Sequence, residues 1–129
     1  MNTEYQDIII IGAGLSGIGA ASHISKKCPG KSLAILESRE NMGGTWDLFK
    51  YPGLRSDSDM FTLGYNFKPW NNKDAIGAGA DILSYIKEAA KEQKIEDKIR
   101  YQHKVTSIEW SSESATWTLQ VEEAGKRKT

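Results

Sequence analysis

The run Ile8-Ile-Ile-Ile-Gly-Ala-Gly-Leu-Ser-Gly17, followed after a helix-length gap by Leu33-Ala-Ile-Leu-Glu37, constrains this chain more than any other feature. It reads as a buried strand, a glycine turn, a helix, and a second strand that ends on an acid. That order builds a site for a dinucleotide. Gly12 permits the tight turn out of the strand, Gly14 lets the backbone approach a pyrophosphate, and Gly17 lets the helix lie close to the sheet. The helix N-terminus turns unpaired N–H groups and a positive dipole end toward the phosphates. Glu37 falls roughly 20 residues past the last glycine, where a carboxylate can accept a hydrogen bond from a ribose hydroxyl. A lone G-x-G-x-x-G is weak evidence, because glycines punctuate many loops; here the apolar run before it and the acid after it supply the missing context.

At 129 residues the chain is long enough for one modest domain. Seventeen Lys plus Arg balance seventeen Asp plus Glu, so no global field draws it to nucleic acid or to an anionic membrane. The single Cys28 excludes an internal disulfide and fits a reducing, cytoplasmic setting. No apolar run approaches the roughly 20 residues of a transmembrane segment, and the acidic, polar N-terminus is unlike a presequence.

Leu15, Ile18, Ala21 and Ile24 recur at helical spacing, with Ala20 and Ala21 small enough for close packing on a sheet, and the helix should stop near Lys26–Lys27 before Pro29-Gly30. Residues 41–80 form a long, glycine-rich connection of a kind that tends to be functional. Within it the alternation of Phe61, Leu63, Tyr65 and Phe67 predicts a short extended piece. Asp81 has the character of an N-cap for a helix that buries Ile82, Ile86, Ala89, Ala90 and Gln93. Strands come next at about Arg100 to Trp110 and Thr116 to Glu122, joined by a Ser111–Ala115 loop. Glu123–Lys126 is a further hairpin turn with only Arg127–Thr129 left to return from it. With two parallel strands visible, the fold class is α/β: a partial doubly wound, Rossmann-like domain with a C-terminal β-hairpin, which reads as truncated.

A second glycine motif, Asn41-Met-Gly-Gly-Thr-Trp46, lies just past Glu37. Adjacent glycines let another backbone segment approach a flat or anionic ligand, and two such clamps imply a ligand longer than a mononucleotide. Together with Tyr51-Pro-Gly-Leu-Arg-Ser-Asp57 and the run on to Trp70, these motifs resemble the FAD-binding start of a Baeyer–Villiger flavin monooxygenase. Within that family they are most like the ethionamide-activating branch. The resemblance runs from Asp7 to about Val121 and is far more specific than the first glycine motif.

The resemblance implies that residues 1–129 are the N-terminal portion of an FAD-binding domain, with the NADPH-binding domain and the domain-closing strand outside them. Gly12, Ala13, Gly14, Ser16 and Gly17 would surround the FAD pyrophosphate, and Glu37 would hold the adenosine ribose. Gly44, Thr45, Trp46, Asp47 and Leu48 would run along the cofactor toward the flavin. Arg55, Ser56 and Asp57 would lie near the flavin and the NADPH nicotinamide, and the backbone of Val105 would meet the adenine. Many relatives carry Cys where this chain has Ser56. Asp57 is the one candidate for direct catalytic support, since the matching carboxylate pairs with an arginine that these residues do not include. The implied chemistry is NADPH-driven oxygen insertion into a ketone, or oxygen transfer to sulfur, through a flavin peroxide formed with O2. The remainder of its own polypeptide is then a required partner, and the segment alone is expected to be inactive.

Spacing alone leaves plainer roles open. Asp57 and Asp59 are then solvated turn residues or a local cap, and Phe61, Leu63, Tyr65, Phe67 and Trp70 are packing residues. His23 and His103 stand without partners at metal-ligand spacing, so no metal is expected. A non-catalytic dinucleotide-binding module is one alternative function. A fragment of an NAD-dependent dehydrogenase is another, disfavoured by Gly43-Gly44-Thr45-Trp46.

Overall fold

The computed structural model describes residues 3–129. Strand β1 (Ile8–Ile11) leads through the glycine turn into helix α1 (Leu15–Lys27), and β2 (Leu33–Leu36) returns parallel to β1 in the register Ile8 to Leu33. β2 is buried at every position, as a central parallel strand should be. A short third strand, β3 (Ile99–Arg100), adds to its far side and gives the order β1-β2-β3. Two residues carry too little pattern to mark a strand of their own, and in sequence they merge with the longer strand after them.

The long connection is mostly irregular, with two single-turn helices, α2 (Thr45–Leu48) and α3 (Met60–Leu63). α3 replaces the extended piece expected from alternation. The Asp59 carboxylate accepts from the Thr62 N–H at 3.0 Å and starts a helical turn, so Asp59 is the local cap that spacing allowed. Phe61 is consequently turned outward and 81% exposed instead of packed.

Helix α4 (Gly79–Glu92) begins three residues earlier than expected, with Ala78 and not Asp81 at its N-cap. The start is set by tertiary contacts: Gly79 N–H donates to the Leu54 carbonyl and Ala78 bridges to Arg55. Asp81 instead lies in the first turn, where its charge suits the helix dipole. The buried face of α4 is Ile82, Tyr85, Ile86, Ala89 and Ala90; Tyr85 takes the place expected of Gln93, which caps the C-terminus.

α1 and α4 cover one face of the parallel sheet, and Ile18, Ile35, Ile82, Ile86 and Ile95 form the centre of the core. Ala21 is buried as expected, whereas Ala20 faces outward and Gly19 is the second small residue on the inner side of α1. β1 is not wholly buried: Ile8 and Ile10 meet the core, while Ile9 and Ile11 are 36% and 54% exposed on the opposite face. That face looks across an open groove of about 460 Å³ at Ile108, Trp117, Leu119 and Val121 of a second sheet.

The second sheet is an antiparallel meander of β4 (His103–Ser111), β5 (Thr116–Glu123) and β6 (Lys126–Lys128). Both hairpin turns fall where the sequence puts them. The second runs through Ala124 and Gly125, both at positive φ (48° and 87°). The short return after it is enough to form a third strand, three residues long.

Candidate functional site

The glycine turn and the second glycine motif come together as the two walls of one cleft. Gly12 leaves β1 at φ 97° and donates its N–H to the Leu36 carbonyl at 2.8 Å. α1 then starts at Leu15 with no side-chain cap on its N-terminus, so its first-turn N–H groups have no intrahelical acceptor. A Cβ at Gly17 would stand 1.9 Å from the Gly12 carbonyl oxygen; this glycine lets the helix fold back onto the turn itself.

Across the cleft, the Gly43 N–H donates to the Ala13 carbonyl at 2.9 Å. Gly14 and Gly44 face each other backbone to backbone, a Cβ on Gly44 falling 3.1 Å from the Gly14 Cα. Gly14 therefore serves a contact that sequence reasoning missed, in addition to leaving its wall open. Gly43 and Gly44 hold φ of 117° and 55°, and a Cβ on Gly43 would meet the Leu83 side chain of α4 at 2.4 Å. The cleft measures about 390 Å³ and is lined by Ile11, Gly12, Gly14, Leu15, Ser16, Gly17, Gly43, Gly44, Thr45 and Trp46. No charged side chain is among them, so its polar character comes from backbone dipoles and the hydroxyls of Ser16 and Thr45.

Glu37 stands behind this wall, 6% exposed. Its Oε1 accepts the Ala13 N–H at 3.0 Å and its Oε2 accepts the Arg39 N–H at 2.9 Å. Oε2 also accepts the Ser38 hydroxyl at 3.5 Å, so it is Oε1 that keeps a further lone pair for a ligand hydroxyl. Arg39 reaches on to the second motif, donating from Nη2 to the Gly44 carbonyl (3.2 Å) and to Asp47 Oδ2 (3.1 Å). Nothing in the spacing marked Arg39; only the fold brings it against Asp47. Burial, with the charges of Glu96, Glu37 and Asp47, holds the nearby Tyr101 hydroxyl above its ordinary range.

The expected site residues divide into groups. Gly12, Gly14, Ser16, Gly17, Gly44, Thr45 and Trp46 line the cleft, and Ala13 is buried just behind it. Asp47 is paired with Arg39 and, at 3.9 Å, with Lys50, while Leu48 points away and is 57% exposed. Arg55, Ser56 and Asp57 lie outside the cleft lining. Ser56 is buried, its Oγ donating to the Ser58 carbonyl (2.7 Å) and accepting the Ser58 N–H (3.0 Å), whereas Asp57 is exposed. Val105 is half-buried on β4 opposite Val121, beside a bulge between Val105 and Ser107. Among the described residues no group of His, Cys, Asp and Glu could hold a metal ion, and no helix is long and apolar enough to cross a membrane.

The NAD(P)-binding Rossmann-like domain family matches residues 10–71. The FAD-containing monooxygenase EthA of Mycobacterium tuberculosis (strain ATCC 25618 / H37Rv) is 53% identical over 123 residues, which is 95% of this chain and 25% of that protein. The probable FAD-binding monooxygenase AlmA of Acinetobacter sp is 49% identical over 122 residues, 95% of this chain and 24% of that one. Among solved structures, an oxidized steroid monooxygenase bound to NADP superposes with a TM-score of 0.84 at 27% identity, over 95% of this chain and 24% of its own. The chain thus spans about a quarter of the length of the relatives it matches. Along nearly all of its length it is similar in sequence to one quarter of EthA-like FAD-containing monooxygenases, and in fold to one quarter of the steroid monooxygenase.

Proposed function

We propose that this chain is the FAD-binding portion of an NADPH-dependent flavin monooxygenase acting on ketones or sulfur compounds with O2. The observation that carries this reading is the cleft between Gly12–Gly17 and Gly43–Trp46, backed by Glu37. Its walls suit a diphosphate: an uncapped helix N-terminus, glycines where side chains would intrude, and no lining carboxylate to repel an anion. Its volume is in the range of cofactor pockets.

In this reading α1 receives the pyrophosphate and Glu37 takes the adenosine ribose through the lone pair left on Oε1. The backbone of Val105 meets the adenine. Thr45 and Trp46 guide the cofactor toward its flavin end, with Asp47 and Leu48 following. Arg55, Ser56 and Asp57 stand near the flavin and nicotinamide, and Asp57 gives direct catalytic support. Bound FAD would supply electron transfer from NADPH and the activation of O2. The protein's part is to orient that cofactor and keep water from it. The NADPH site, the substrate pocket and the arginine partner of Asp57 belong to the remainder of the polypeptide, in the cytoplasm.

The test is the native-length protein purified without added flavin. Retained FAD and NADPH-dependent oxygen uptake are expected with a cyclic ketone or a thioamide. A colourless protein that stays inert when FAD is added would reject the proposal.

A further inference from the structure

Resting on the reading of the cleft as a dinucleotide site, we infer that Tyr65 is a positioning residue for it. Tyr65 holds the first turn of α1 in place through a hydroxyl bond to Leu15 and a ring seated on Gly19. The Tyr65 hydroxyl donates to the Leu15 carbonyl at 2.5 Å, across fifty positions of chain. Leu15 lines the cleft and Tyr65 does not. The ring occupies the space that any side chain at Gly19 would need, since a Cβ there would fall 2.8 Å from Tyr65 Cε1.

Tyr65 is in turn fixed by α4. Its own N–H donates to Tyr85 Oη at 2.7 Å, and that hydroxyl donates to the Lys68 carbonyl at 2.6 Å. Its ring stacks on Phe67 and on Tyr85, with centroids 4.7 Å and 5.6 Å apart. The same helix places Leu83 beneath Gly43. α4 is therefore a common base for both walls: Leu83 supports the second glycine motif, and Tyr85 with Tyr65 supports the helix opposite. The distance window of an N–H to oxygen bond is narrow, so the height of the first turn decides how well its N–H groups meet a diphosphate. The adenosine end is held at Glu37, which follows β2 and meets the turn only at the Ala13 N–H, ahead of Leu15, so it is less sensitive to that height.

This separation sets the test: binding of FAD, ADP and adenosine to the native-length protein, compared with Y65F and G19A. Y65F keeps the ring and loses one hydrogen bond, so FAD and ADP should bind about fivefold more weakly while adenosine loses less. G19A improves helix propensity yet displaces the ring, and should give the same diphosphate-selective loss without weakening α1. Unaltered ADP affinity in both variants would overturn the inference, and so would an equal loss for adenosine, which marks general loosening. A wild-type protein that binds neither FAD nor ADP would instead remove the site itself, and this inference with it.

Discussion

A methyl group at Gly17 would lie 1.9 Å from a backbone oxygen, and no side-chain rotation can relieve that clash. Gly17→Ala should therefore cost about 3 kcal/mol of stability despite its helix preference. Gly30, with nothing near its Cβ position, is the control and should stay within about 0.5 kcal/mol. Denaturant midpoints of the two variants decide this. Arg39 acts at the same scale by other means, joining the Gly44 carbonyl to the Asp47 carboxylate. Arg39→Ala should weaken FAD binding about fivefold. Its effect and that of Asp47→Ala should be less than additive in a double-mutant cycle. Full additivity would mean that Asp47 meets the cofactor on its own account. The glycines and Glu37 were legible in sequence because each meets a backbone constraint local to the βαβ unit. Arg39 and Tyr65 were not, because their partners are distant in sequence or set by how two loops meet.

Among the elements, β1, α1, β2 and the hairpin strands arise from periodicity and turn residues. The failures cluster in residues 41–80, where tertiary contacts decide the outcome. Phe61, Leu63, Tyr65 and Phe67 alternate as a strand would, yet Asp59 caps a helical turn, Tyr65 stacks on Tyr85 of α4 and Phe67 stacks on Tyr65. The stack has a pH signature. Burial holds the Tyr65 and Tyr85 hydroxyls above their ordinary value of 10.0, so both keep their protons in the folded protein after the unfolded chain begins to lose them. Their contribution to stability is thus complete below pH 10 and falls as pH rises beyond it. Unfolding free energy measured against pH should decline there, with tyrosinate absorbance rising in step with unfolding; Y65F should flatten the decline. At the acid end, hydrogen bonds from Ser32 hold Asp7 below its usual 3.8, and those from Thr62 do the same for Asp59. What they contribute is present above pH 3.8 and lost as pH falls through their lowered values.

For the molecule as a whole, one face of the parallel sheet is closed by helices and the other opens on a groove toward the meander. The cleft lies at the carboxyl end of β1, where open α/β sheets bind their ligands. A ligand that binds only the folded state raises its stability by mass action. FAD at a hundredfold excess over its dissociation constant should add about 2.7 kcal/mol. A rise in melting temperature with FAD, absent with riboflavin, is the expected result; no shift with FAD would count against the cleft as its site.

The backbone of Glu37 also ties the two sheets together. Its N–H donates to Arg100 and its carbonyl accepts from His103, while the Arg39 carbonyl accepts from Gln102. The amides of Gln102 and His103 can exchange with solvent only when that stitch opens, and a nucleotide held on Glu37 resists the opening. Their deuterium uptake should slow when nucleotide is added, although neither residue belongs to the cleft. The entrance to the meander thus serves as a remote gauge of occupancy, readable by mass spectrometry without any label on the site.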